Sequence, residues 1–84
     1  DVTNADAVAA CFDGIDCVIH AAALVHGWLP WARYRAVNVG GTQTVARAAR
    51  AAGVRRFVHV STSDVFGIAY SDEVMDERTP FRVW

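Results

Sequence analysis

Two short apolar runs, separated by one long helical pattern, constrain this chain more than anything else in it. The first is Asp16-Cys17-Val18-Ile19-His20, set between Gly14 and Ala21-Ala22-Ala23. The second is Phe57-Val58-His59-Val60, entered through Val54-Arg55-Arg56 and closed by the polar turn Ser61-Thr62-Ser63-Asp64. Continuous apolar runs of this length read as strands buried on both faces, as in a parallel sheet. Parallel neighbours need a long crossover, and residues 31–52 supply one. Val37, Gly41, Val45, Ala48 and Ala52 share one helical face there, with Arg33, Arg35, Arg47 and Arg50 mostly elsewhere. Gly53 is a suitable terminator. The pattern predicts a βαβ unit with a right-handed crossover.

A shorter helix precedes the first strand. Thr3 or Asn4 can cap its free N–H groups, and Asp6 suits its positive end. Ala7, Val8, Ala10 and Cys11 follow at helical spacing, and Asp13-Gly14 ends it. His26, Gly27 and Pro30 mark residues 24–30 as a loop. Residues 65–80 are turn-rich and polar, with Asp72, Glu73, Asp76 and Glu77, and read as a surface loop with at most one helical turn. The fold class is therefore α/β, in the order helix, strand, helix, strand, loop. The first residue is Asp1 and the last, Trp84, follows a loop, so the chain is expected to be an internal piece of one larger domain.

Composition removes several functions. Of 84 residues, 54% are hydrophobic and 20% charged, which is globular rather than disordered. The formal net charge is -1 and no long basic run exists, which argues against nucleic acid and anionic membranes as partners. No apolar run reaches the length of a membrane span. Cys11 and Cys17 read as reduced, partly buried thiols of a cytoplasmic protein. His20, His26 and His59 form no metal motif. No G-x-S-x-G elbow surrounds Ser61 or Ser63.

In open parallel sheets, ligands bind beyond the carboxyl ends of the strands. One such end carries His20-Ala21-Ala22-Ala23, whose small residues let a flat ligand approach the backbone or simply pack a helix on the sheet. The other carries Ser61-Thr62-Ser63-Asp64, either a polar turn or a set of hydroxyl donors for a carbonyl or alkoxide oxygen. Gly40-Gly41 costs a helix about 1 kcal/mol per residue relative to alanine, so close packing or close ligand approach must offset it. Asn38, one turn earlier, needs partners for its amide and either pins a loop or touches a ligand.

Three stretches together resemble one family. They are residues 16–23 (Asp16-Cys17-Val18-Ile19-His20-Ala21-Ala22-Ala23), residues 38–42 (Asn38-Val39-Gly40-Gly41-Thr42) and residues 56–67, from Arg56 through Ser61-Thr62-Ser63-Asp64 to Gly67. In this order and spacing they resemble the extended short-chain dehydrogenase/reductase family, which includes NAD-dependent epimerases and dehydratases and the 3β-hydroxysteroid dehydrogenase-like enzymes. The resemblance implies a Rossmann-type, doubly wound parallel sheet binding NAD or NADP, of which residues 1–84 form an internal part. It implies that Asp1 and Val2 lie against the adenine and that Ala21, Ala22 and Ala23 line the dinucleotide. Asn38 would help hold the cofactor side of the site, and Ser61 would neighbour the nicotinamide. Thr62 matches the catalytic hydroxyl, which would hydrogen-bond the substrate oxygen during hydride transfer.

The same resemblance places a glycine-rich phosphate loop upstream of Asp1 and a Tyr-x-x-x-Lys pair downstream of Trp84. The chain contains no lysine, so Tyr34 and Tyr70 do not replace that pair. The 84 residues alone are therefore expected to show no turnover. In the 4,6-dehydratases the catalytic Thr is followed by Asp-Glu; here Thr62 is followed by Ser63-Asp64, which disfavours a dehydratase. The expected parent is an NAD(P)-dependent oxidoreductase acting on a CH–OH group, hydroxysteroid dehydrogenase-like. A nucleotide-sugar epimerase and a non-catalytic dinucleotide-binding module are the alternatives. The partner is a small alcohol or ketone, steroid-like or a nucleotide sugar, and the parent is expected as a homodimer. Leu24, Val25, Trp28, Leu29 and Trp31 form an apolar loop that suits a hydrophobic substrate, or equally a cap on the core.

Overall fold

The computed structural model describes residues 1–68, 72 and 74–82. Tyr70, Glu73 and Trp84, named above, lie outside the described residues. The first helix, α1, spans Ala5–Ala9. Asn4 caps it, its side-chain oxygen accepting from the Ala7 amide at 3.0 Å. It stops short of Asp13-Gly14. The amides of Cys11 and Phe12 reach back only three residues, to the carbonyls of Val8 and Ala9, so the chain tightens before Gly14 turns it at φ 70°.

Strand β1 (Cys17–His20) pairs in parallel with β2 (Arg56–His59), matching Cys17 with Arg56, Val18 with Phe57, Ile19 with Val58 and His20 with His59. The Asp16 carbonyl accepts from the amides of Arg55 and Arg56 at one end of the pair, and the His20 carbonyl accepts from Val60 at the other. The parallel βαβ unit is present, and the class is α/β of Rossmann type.

Its crossover is one continuous helical stretch that changes pitch. Helix α2 (Trp31–Tyr34) follows Pro30, a π-helical segment covers Arg35–Gly41, and α3 runs Thr42–Ala51. The sequence pattern gave no sign of the π segment. Gly53, at φ 72°, follows the helix as expected. The buried positions are Gly41, Val45 and Ala49, with Val37 and Ala48 half-buried; Ala52, at the C-terminal cap, is exposed.

Gly41 has a packing reason. A Cβ there would lie 2.6 Å from Val2 Cγ2. Nothing around Gly40 explains its glycine.

Val18, Val45 and Ala49 form the core, with Val2, Val8, Phe12 and Val54 packed against it. These residues come from α1, α3, β1 and the segments that flank them. Burial on both strand faces is not observed. Val18 and His20 are buried, whereas Cys17 and Ile19 are exposed, Ile19 by 69%. Every residue of β2 is exposed. Among the described residues no element covers the Ile19 face. The cysteines depart from expectation for a related reason. Both are free and exposed, Cys17 on that open face and Cys11 in the turn after α1.

Candidate functional site

Both strands deliver their ends to the same edge of the sheet because they are parallel and in register. After His20 the chain runs through exposed Ala21, Ala22 and Ala23. After His59 it runs through exposed Ser61 and Thr62, then a 3-10 turn over Ser63–Phe66. Thr62 caps that turn with extended backbone, its oxygen accepting from the Asp64 amide at 3.2 Å. Among the described residues, its hydroxyl hydrogen has no protein acceptor, so it is available to an oxygen outside.

A hollow of about 490 Å³ gathers Ala21, Ala22, Ala23, Asn38, Ser61 and Thr62, together with Asp64. A second hollow of about 540 Å³ gathers Asp1, Val2, Ala21 and Ala22. All eight residues singled out in the sequence thus line one of two hollows that share Ala21 and Ala22. Asp1 and Val2, like Thr62, also have local roles. The Asp1 carboxylate accepts from the Thr3 amide and hydroxyl, each at 2.9 Å, and Val2 packs on Gly41.

Asn38 pins a loop. Its Oδ1 accepts from the Leu24 amide at 2.8 Å and its Nδ2 donates to the Leu24 carbonyl at 3.0 Å. Tyr34 adds a second fastening, its hydroxyl donating to the Gly27 carbonyl. Of the apolar loop, Leu24 and Val25 line the hollow with Tyr34, whereas Trp28 and Trp31 stand in solvent.

Sequence reasoning missed His20 and Thr42 as site residues. His20 is 4% exposed, and its Nε2 lies 2.9 Å from Thr42 Oγ1. Its ring stacks on His59 with centroids 5.5 Å apart. Burial first, and His59 second, hold its pKa below the ordinary value. The signals were present: both strands end in histidine, and Thr42 is four residues after Asn38. Between Asp16 and Asp64 there is no acidic residue, yet six of the eight arginines fall there: Arg33, Arg35, Arg47, Arg50, Arg55 and Arg56. Arg55 and Arg56 stand at the entrance of β2, the opposite edge from the strand ends, and among the described residues no arginine lines the hollow at those ends.

The profile of the 3-beta hydroxysteroid dehydrogenase/isomerase family matches residues 1–83. The chain belongs to that family. With it comes membership of the extended short-chain dehydrogenase/reductase group, as the strand-end motifs implied. A 3 beta-hydroxysteroid dehydrogenase/Delta 5-->4-isomerase of Mycobacterium tuberculosis is 42% identical over 86 residues, covering 89% of this chain and 23% of the relative. An L-arabinose 1-dehydrogenase (NAD(P)(+)) of Haloferax volcanii is 42% identical over 65 residues, covering 77% and 26%. A mouse dTDP-D-glucose 4,6-dehydratase is 42% identical over 69 residues, covering 79% and 19%. This family member thus spans about a quarter of the length of these curated relatives. Among the described residues it has no cluster of metal-ligating side chains and no helix long and apolar enough to cross a membrane.

Proposed function

We propose that these residues form the cofactor-facing and substrate-facing edge of an NAD(P)-dependent oxidoreductase acting on a CH–OH group. The observation that carries this reading is the Thr62 hydroxyl. It stands just beyond β2, without an acceptor for its hydrogen among the described residues, in one hollow with the small residues after β1. Ala21 and Ala22 line both hollows, and their short side chains would let a dinucleotide lie close to the backbone there. Ala21, Ala22, Ala23, Asn38 and Ser61 would hold the cofactor, with Asp1 and Val2 at its far end. Bound NAD or NADP would supply the hydride acceptor or donor. Thr62 would hold the substrate oxygen by hydrogen bonding while charge develops there.

Leu24 and Val25 favour an apolar substrate of hydroxysteroid type, since they supply the aliphatic wall of the same hollow. The likeness to a dTDP-D-glucose 4,6-dehydratase supports a second reading, a nucleotide-sugar substrate that is epimerised. Elimination itself is disfavoured, because Ser63 rather than a carboxylate follows Thr62. Product analysis separates the readings: net NADH release marks a dehydrogenase, and inversion without release marks an epimerase. Thr62→Ala in the whole protein should cut turnover by about 10²-fold, the low end for a lost proton-transfer partner. Unchanged turnover would remove Thr62 from the mechanism.

A further inference from the structure

We infer that His20 is a positioning residue for this site, acting through Thr42 and Asn38 on the backbone of Leu24. The Thr42 hydroxyl donates to the Asn38 carbonyl at 2.6 Å. A carbonyl only accepts, so the single hydroxyl proton of Thr42 is committed there. Thr42 Oγ1 can then meet His20 Nε2, 2.9 Å away, only as an acceptor. His20 is therefore the Nε2–H tautomer when neutral, and the protons of this chain of bonds all point one way. The relay runs from His20 to Thr42 to the Asn38 carbonyl, and the Asn38 side chain then grips both backbone groups of Leu24.

Each link sits where it can be felt. His20 is buried and stacked against His59, so its ring cannot swing away freely. Asn38 lies inside the π segment, whose wider turn sets it between the loop and α3. Leu24 is half-buried and begins the loop that walls the hollow shared with Ser61 and Thr62. The relay thus fixes where the apolar wall stands relative to the Thr62 hydroxyl. In this role His20 acts on the substrate wall only through Thr42 and Asn38. It governs how well an apolar substrate is seated, and KM should respond to it more than kcat.

The test compares variants that break the relay with variants that keep it, in the whole protein. Thr42→Val removes the hydroxyl at constant shape, and His20→Leu removes the donor. Thr42→Ser keeps the hydroxyl, and the Nε2 of His20→Gln donates from nearly the place of the imidazole Nε2. Amide hydrogen exchange at Leu24 should quicken about five- to ten-fold in Thr42→Val and in His20→Leu, the size of one lost hydrogen bond. Protection at Val45 and Ala49 should hold. Thr42→Ser and His20→Gln should restore Leu24. In the breaking variants, KM for the substrate should rise by more than kcat falls. Unchanged exchange at Leu24 in either breaking variant would overturn the relay. Should a breaking variant lose protection throughout, the retaining pair decides, because quickened exchange at Leu24 in both Thr42→Ser and His20→Gln would overturn it as well. The kinetic readout rests on Thr62 as the reacting hydroxyl, while the exchange readout does not. A relay that fails and a site that fails therefore give different results.

Discussion

His20 and His59 face each other across the parallel ladder, their rings stacked with centroids 5.5 Å apart. His20 is buried, so a proton on its ring loses hydration and meets a second imidazole. Asp1 and Cys11 are the other titratable groups around the hollow that His20 lines.

That pairing sets a pH dependence. The His20 pKa is lowered from its ordinary 6.5, first by burial and then by His59. Below 6.5 the unfolded chain therefore binds more protons than the folded one, and stability rises with pH through that window. The contribution is complete above the ordinary value and is lost as pH falls through the folded one. Thermal denaturation between about pH 8 and about pH 5 should show Tm dropping on the acid side. His20→Gln, which cannot titrate, should flatten that drop. A Tm that falls equally in both proteins would assign the effect elsewhere.

Gly41→Ala sets two terms against each other. Helix propensity favours alanine by about 1 kcal/mol. The new Cβ would stand 2.6 Å from Val2 Cγ2, closer than carbon atoms approach. Overpacking costs about 1–3 kcal/mol, so the net change should be destabilising. In a Val2→Ala background most of that cost should vanish, and a double-mutant cycle in denaturant measures the coupling. Additive effects would show that Val2 is not the obstacle.

Asn38→Ala should destabilise by about 1–3 kcal/mol, because it leaves the Leu24 amide and carbonyl without their partner. Asn38→Asp discriminates further. It keeps an acceptor for the Leu24 amide but sets a carboxylate oxygen against the Leu24 carbonyl. It should therefore fall well short of wild type in chemical denaturation, and equal stability would show that only the amide bond matters.

The Asp16–Arg55 ion pair should prove nearly silent. Its side chains are 78% and 73% exposed on the arginine and aspartate sides. Exposed pairs contribute about 0–1 kcal/mol, so Asp16→Asn should shift the denaturation midpoint little. The ladder bonds use the Asp16 carbonyl and survive the substitution. A large loss would mean that the pair does more than the bonded backbone at this end of the sheet.

The isolated 84-residue chain should show no dehydrogenase turnover. It supplies the Thr62 hydroxyl, but it has no lysine to lower the pKa of a catalytic tyrosine. Measurable hydride transfer by this chain would require a different proton route.

Local sequence determined the elements. Asn4 caps α1 because its short side chain reaches back to a free amide. Gly53 follows the crossover helix because its missing Cβ allows φ 72°. Residues 17–20 and 56–59, short segments carrying Val, Ile and Phe between turn signals, form strands. Parallel pairing then carried Ala21–Ala23 and Ser61-Thr62 to one edge, so motif order alone pointed to residues that line the two hollows there. What needed the third dimension was burial and direction. The periodicity of Cys17-Val18-Ile19-His20 cannot say which face another layer will cover, and here only the Val18 and His20 face is covered. Helical spacing in residues 31–52 cannot reveal a π segment, since one widened turn leaves the apolar pattern nearly unchanged. The bond from His20 to Thr42 spans 22 residues and exists only because β1 and α3 pack together. Such contacts depend on where two elements meet in space, which residue order along either element does not encode.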